Sequence, residues 1–421
     1  MIGIDLSRDR AEYTSPTGDV RAKYFDGVGL GGDFISYLWN GAFATNAKSD
    51  CTMVYNFIVQ NFAWNEQVHT EVWLFGISRG AYIVRSVAGL INNCGIIQDA
   101  TNRVLINQAY DLYQSPYDVH KPSSPEMVQF RKDVSYQVRT PIKFMGIFDT
   151  IGARGSPDLN YHTGTGFEWP KFHDDRVSST VEKVYHAMAI HDRFWIFQPF
   201  IASRAPAHSN DPDLKIYQKW FPGCHYDLAR QEFQFFREGG SALERSIFPI
   251  LNRTSKTILP NEKIADLVLI WMLQGIDTEG GGDIIQQDMT GYPHTITAVI
   301  AHMQESITQA SNGTGDMYDH ILNYLPGGGL LSMVPAGLTH PHNTAHGILF
   351  NPVDRVIPDP GMSNSSTAPV WNQVYPYTVE DASIGGVDME TLAGIDLTRY
   401  PSRTYQKYLE YMRAVRRPPY G

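Results

Sequence analysis

A short apolar run, Glu71 to Phe75 (EVWLF), stops at Gly76-Ile77-Ser78-Arg79-Gly80, and an apolar stripe starts immediately beyond it. In that stripe Ala81, Val84, Val87, Ala88 and Ile91 recur at helical spacing, and Asn92-Asn93 followed by Gly95 mark its end. Strand, Gly-x-Ser-x-Gly, helix is the order of a nucleophile elbow. The serine of such a turn takes a strained backbone conformation at the C-terminal edge of a sheet. Small residues are expected two before and two after it, here Gly76 and Gly80, so that strand and helix can close on each other. The Arg79 amide, at the helix N-terminus, would face a developing oxyanion. The bare five-residue pattern is common by chance, and its placement between strand and helix gives it meaning. The competing reading is a tight βα turn in which Ser78 only caps the helix.

A serine hydroxyl at its ordinary pKa is a poor nucleophile, so it needs a base, and the base needs an orienting carboxylate. On an α/β-hydrolase sheet these follow in the order Ser, acid, His. Ile142 to Phe148 (IKFMGIF) predicts the next strand, opened by Pro141 and closed by Asp149-Thr150. Asp149 then shares the sheet edge of Ser78, unless it only caps the next turn through Thr150 and Gly152. Fourteen histidines compete for the base. His225 follows the strand candidate Ile216 to Phe221 and the turn Pro222-Gly223. His186 and His191 lie on or beside Val181 to Ile190, which reads as a helix. His294, His302, His340, His342 and His346 fall in the tail, where His340-Pro341-His342 lacks a carboxylate at ligand spacing, so no metal site is expected. Position alone leaves the choice of base open.

Over the first two-thirds of the chain, short apolar runs alternate with amphipathic stretches. That predicts an α/β class protein, a mostly parallel sheet flanked by helices. Lys263 to Leu273 predicts an apolar-faced helix. After Gly275 the composition changes, with Gly280-Gly281-Gly282, Gly327-Gly328-Gly329, a Pro-, Ser- and Asn-rich stretch from Pro335 to Ala368, and a final helix over Arg403 to Arg416. We expect a catalytic domain over 1–275 and a C-terminal extension over 276–421 serving as lid or packing region. Gly27 to Gly32 contains G-x-G-x-x-G, and Asp50 stands near the acidic position of a dinucleotide site. The run before it, Lys23 to Phe25, is short, poorly apolar and interrupted by Asp26, so dinucleotide binding is disfavoured and no cofactor is expected.

Of 421 residues, 43% are hydrophobic, enough for a large core, and the net charge of -10 argues against a nucleic-acid partner. Cys51, Cys94 and Cys224 are too few and too far apart for a disulfide framework and read as buried small hydrophobes in a reducing compartment. No apolar run reaches the ~18 residues of a transmembrane helix. The first residues carry charges where a signal peptide needs its apolar region. A soluble cytoplasmic protein is expected, with its oligomeric state left open.

Several blocks carry a family resemblance: Phe25-Asp26-Gly27-Val28-Gly29; Phe75 to Tyr82 with Arg85 and Ala88-Gly89; Gly146 to Gly152; Tyr185 to Ile190 with Phe197-Gln198-Pro199; Trp220 to His225 with Asp227; and Ala265-Asp266-Leu267 with Trp271-Met272. Together they resemble the α/β-hydrolase domain of type VI secretion phospholipase effectors and their uncharacterised fungal and bacterial relatives. The resemblance implies Ser78 as nucleophile, Asp149 as triad acid and His225 as base, with Gly27 and Gly29 in the family's early glycine-rich loop. It implies a helix and turn between acid and base. It also implies hydrolysis of a carboxylic ester, of a phospholipid or other lipid or small ester, with peripheral membrane contact open to the protein. Two departures stand out. The family opens with a strand ending in Asp-Gly-Thr, for which Met1 to Asp5 is at most a short stand-in. Its base loop reads His-Ser-Asp-Val-Gly-Gly, where this chain has His225-Tyr226-Asp227-Leu228-Ala229-Arg230. They sustain a second reading, a catalytically impaired hydrolase-fold protein acting as a binding or interaction module.

Overall fold

A computed structural model describes residues 12–15, 17–25, 47–151, 176–193, 199–202, 204, 211–229, 233–234, 257–280, 296–306, 313–315, 355, 400, 402–404, 406 and 410. β1 (Glu12–Thr14) and β2 (Arg21–Lys23) form an antiparallel pair of their own. The Gly27 to Gly32 motif beyond them and the stand-in run Met1 to Asp5 lie outside the described residues. So does most of the tail, including most of the expected helix Arg403 to Arg416.

Among the described residues the main sheet has four parallel strands, β3 (Val72–Ile77), β4 (Ile142–Phe148), β5 (Val181–Ala189) and β6 (Lys215–Phe221), lying side by side in chain order. Helices cover both faces, as a parallel sheet requires. The elements are α1 (Ala47–Asn61), α2 (Arg79–Cys94), α3 (Arg103–Gln114), α4 (Pro125–Val134), α5 (Glu262–Gly280) and α6 (Ile296–Ser306). Two further short strands, β7 (Phe233–Gln234) and β8 (Thr257–Ile258), pair antiparallel. This is the α/β architecture that the alternating pattern predicts.

Strand β4 shows how the sheet divides the core. Met145 and Ile147 point into the cluster made with α1, α2 and α3, whereas Phe144 and Phe148 point into the cluster made with α5. Gly146 shares the second face, where a methyl group would press on the Phe75 ring at 2.7 Å and on Met272 Sδ at 2.9 Å. Helix α2 contributes Ala81, Val84, Val87, Leu90 and Ile91 to the first cluster. Each large apolar side chain buried this way is worth about 1.5–3 kcal/mol. The helix ends where Asn92-Asn93 and Gly95 suggest: Gly95, at φ 73°, donates its amide to the Ile91 carbonyl at 2.8 Å.

One element differs from the reading of the sequence. Val181 to Ile190 is strand β5, not a helix, and the helix implied between acid and base is this strand. Val181, Val184, Tyr185 and Met188 do fall at helical spacing, but they are buried because a central parallel strand is covered on both sides. Val184 packs in the first cluster while Tyr185, Ala187 and Ala189 pack in the second, the two-residue period of a strand. Helix α5 also runs past Gly275 to Gly280, where a methyl group at Gly275 would overlap the Tyr185 ring. All three cysteines are buried, and none of them forms a disulfide. Among the described residues no helix is long and apolar enough to cross a membrane.

Candidate active site

Ser78 stands between β3 and α2 at φ 59° and ψ -122°, a backbone region that non-glycine residues rarely occupy. Its amide donates to the Phe148 carbonyl at 2.8 Å, so the elbow is tied to the end of β4. The need for a small residue is uneven across the turn. A methyl group at Gly76 would meet the Gly80 carbonyl carbon at 2.5 Å and the Ala81 amide nitrogen at 2.6 Å, whereas one at Gly80 would meet nothing within 4 Å. Only Gly76 is sterically compelled. Arg79 opens α2, which puts its amide at the helix N-terminus. Gly27 and Gly29 lie outside the described residues. Ser78 is 6% exposed, and its Oγ makes no hydrogen bond, to His225 or to any other described group.

Asp149 directly follows Phe148 and is entirely buried in a left-handed turn, φ 42°. Its amide donates to the Ala187 carbonyl at 2.7 Å, and its Oδ1 accepts the Ala189 amide at 3.0 Å. The turn is supported from behind by His186. The Thr150 amide donates to His186 Nε2 at 3.3 Å, and His186 Nδ1 lies 3.1 Å from Gln218 Oε1. Burial first, and the Arg85 charge second, push His186 down to about 3, so it stays neutral and can accept at one nitrogen while donating at the other.

His225 lies just beyond β6, fully buried, and its Nδ1 donates to Asp149 Oδ2 at 2.6 Å. Its amide donates to Asp192 Oδ2 at 2.9 Å, and the preceding turn is anchored by the Gly223 amide on His191 Nδ1 at 2.9 Å. The structure therefore joins Asp149 to His225 and sets the Ser78 elbow at the same sheet edge, bonded to the residue before Asp149. His191 supports the base loop, and His186 the acid turn.

Four residues at the site, Arg355, Gly315, Tyr400 and Gln218, carry no local signal in the sequence. Arg355 is fully buried and grips Asp149 with both ends of its guanidinium, Nη1 to Oδ1 and Nη2 to Oδ2, each at 2.7 Å. Burial alone would raise the Asp149 carboxyl, but the Arg355 charge and the His225 hydrogen bond hold it well below the usual carboxylate range. Asp227, in the base loop, accepts the Cys224 amide at 2.7 Å, the Asn261 amide at 2.6 Å, the Gly315 amide at 2.8 Å and the Tyr400 hydroxyl at 2.9 Å. Burial pushes Asp227 up to about 6 in spite of these donors. Arg355, Gly315 and Tyr400 come from the region after residue 275, which the sequence presents as irregular. Gln218 is hidden inside β6. Among the described residues no cluster of His, Cys, Asp or Glu could hold a metal ion.

A parallel α/β sheet with a serine elbow at one strand end, and a carboxylate–imidazole pair beside it, is the architecture of the α/β-hydrolase class. A family model for the catalytic domain of Tle1-like type VI secretion phospholipase effectors matches residues 7–275, and the chain belongs to that family. An uncharacterized protein of Saccharomyces cerevisiae (strain ATCC 204508 / S288c), YEL023C, is 28% identical over 133 residues, which span 29% of this chain and 18% of that protein. The structure of the Tle1 effector bound to the VgrG spike of the type VI secretion system is similar over 53% of this chain and 41% of that one, at 18% identity and a TM-score of 0.23. The chain thus spans less than half the length of either relative.

Proposed function

We propose that the protein is a serine ester hydrolase acting on a lipid ester, with phospholipid as the favoured substrate. The observation that carries this reading is the Asp149–His225 hydrogen bond at the sheet edge where the Ser78 elbow stands. In this mechanism His225 Nε2 takes the proton from Ser78 Oγ as the oxygen attacks the acyl carbonyl. Asp149 holds the imidazole with Nδ1 protonated and balances the charge it acquires. The Arg79 amide donates to the oxyanion. His225 returns its proton to the leaving alcohol, and a water deprotonated by His225 then releases the acyl group from Ser78. Membership of a phospholipase family supports a lipid substrate. A lipid bilayer surface and a protein partner are the contacts such a substrate and such a family suggest.

A fluorophosphonate probe tests the reading directly. Labelling of the wild-type chain at Ser78, lost in Ser78→Ala, is expected. Turnover of phospholipid vesicles in preference to short-chain esters is the expected substrate profile. A folded wild type that takes up no probe would instead favour the binding-module reading. That second reading draws on one specific observation: Ser78 Oγ is buried and not bonded to His225 in this conformation.

A further inference from the structure

We propose that Arg355 is a positioning residue of the catalytic triad, whose guanidinium fixes the plane of the Asp149 carboxylate and offsets its charge against His225. The inference rests on the Ser78–His225–Asp149 reading and deepens it. Its basis is geometric. The planar fork meets both carboxylate oxygens at 2.7 Å, and the same Oδ2 accepts from His225 Nδ1 at 2.6 Å. Arg355 Nη1 also donates to the Ala189 carbonyl, and the Arg355 carbonyl accepts the Thr404 hydroxyl at 2.9 Å, so backbone and side chain are both held. A bidentate pair of this kind leaves the carboxylate little freedom to rotate, and that freedom is what would spoil its aim at the imidazole.

The charge matters as much as the geometry. With Arg355 present, the buried Asp149–Arg355 pair is neutral, and proton uptake by His225 during attack is offset by the oxyanion that forms at the same time. Without Arg355 the cluster is more negative by one charge in a dry site. The Asp149–His225 pair would then hold a proton to higher pH, in a form that cannot act as base. Among the described residues, other titratable groups facing this cluster include His186 in β5, Asp192 beyond β5, and Cys224 and Tyr226 of the loop after β6, with Arg85 of α2 behind His186. All of them are unchanged in the variants below.

The test is the pH dependence of fluorophosphonate labelling of Ser78 in the full chain, comparing wild type with Arg355→Met, Arg355→Gln and Arg355→Lys. The neutral variants are expected to label more than about tenfold more slowly near neutral pH, with the acid limb of the profile moved up by about one pH unit or more, the usual effect of one adjacent charge. Arg355→Lys keeps the charge but not the fork, so it should lose rate while its acid limb stays in place. An Arg355 that merely holds the fold would reduce the amount of folded protein and leave the acid limb unmoved in every variant, and that result overturns the proposal. If neither neutral variant folds, Arg355→Lys decides: a displaced acid limb, or labelling at the full wild-type rate, overturns it. A wild type that does not label at Ser78 sinks the hydrolase reading itself, whereas a labelling wild type with an unmoved acid limb in the variants sinks only this inference.

Discussion

Asp149 and Asp227, two of the buried carboxylates at the site, are treated in opposite ways by their surroundings. Asp149 is met by a guanidinium and an imidazole and is held well below its ordinary range against the effect of burial. Asp227 is met by three backbone amides and a tyrosine hydroxyl, and burial still lifts it to about 6. Around these two groups, three amides and a hydroxyl offset burial less than a guanidinium and an imidazole do. The two arrangements suit different tasks. In the proposed mechanism Asp149 must stay ionised while the imidazole beside it gains and loses a proton. Asp227 only has to fasten the base loop to α5 and to the chain beyond residue 300.

Replacement of Asp149 has the largest expected effect. Asp149→Asn takes from buried Arg355 the carboxylate it grips and replaces it with an amide that no longer enforces the Nδ1-protonated imidazole. Probe labelling should fall by about 10⁴-fold, and urea denaturation should show a loss of about 3–5 kcal/mol. A large loss of labelling with unchanged stability would mean that the Arg355 pair contributes nothing to the fold.

Asp227→Ala comes next. It strands three buried amides and should cost about 3 kcal/mol in the same denaturation experiment. The Asp227 carboxylate is hydrogen-bonded to Cys224, Asn261, Gly315 and Tyr400 rather than to the His225 ring, so folded Asp227→Ala should label within about tenfold of wild type. Near-complete loss of labelling would make Asp227 part of the chemistry and erase the division of tasks.

The pH dependence of stability then separates the two carboxylates without disturbing the packing. The folded-state value of Asp227, about 6, lies above the ordinary 3.8, so ionising it costs the fold. Its contribution is complete below that ordinary value and is lost as pH rises through the folded one. Asp149 has the reverse sign: its contribution is present above 3.8 and is lost only as pH falls through its lowered value. From about pH 4 to pH 7, wild-type stability measured against Asp227→Asn should therefore fall by about 2–2.5 kcal/mol, since each tenfold change in proton affinity between the folded and unfolded chain is worth about 1.4 kcal/mol. A flat difference would show that the donors do compensate burial fully. The smallest effect belongs to Tyr400→Phe, which removes one hydroxyl donor from Asp227 and should cost about 1–2 kcal/mol.

What can be read from the sequence follows from how far apart the cooperating residues lie. The elbow is local: strand, turn and helix fall within Val72 to Cys94, and the periodicity of α2 with its Gly95 end is sufficient to find it. Asp149 is placed by the same logic, as the residue that ends β4. The choice of His225 among the histidines needs the family resemblance, since position alone does not separate it from the rest. Strand β5 reads as a helix because a strand covered on both sides shows no polar face, and Val181, Val184, Tyr185 and Met188 fall by coincidence at helical spacing. Gly80 looks as necessary as Gly76 from the pattern, yet only Gly76 lies against the opposing backbone. Arg355 leaves no trace at all, because an ion pair between residues so distant in sequence imposes no spacing on its neighbours.

That distance has a consequence for synthesis. Asp149 and Arg355 are 206 residues apart, and at about 5–20 residues per second a ribosome needs roughly 10–40 s to pass from one to the other. Throughout that interval the nascent chain carries the Ser78 turn and Asp149, and later His225, without the Arg355 cation that offsets the buried Asp149 carboxylate. The Asp149–Arg355 pair can therefore form only after the tail has emerged.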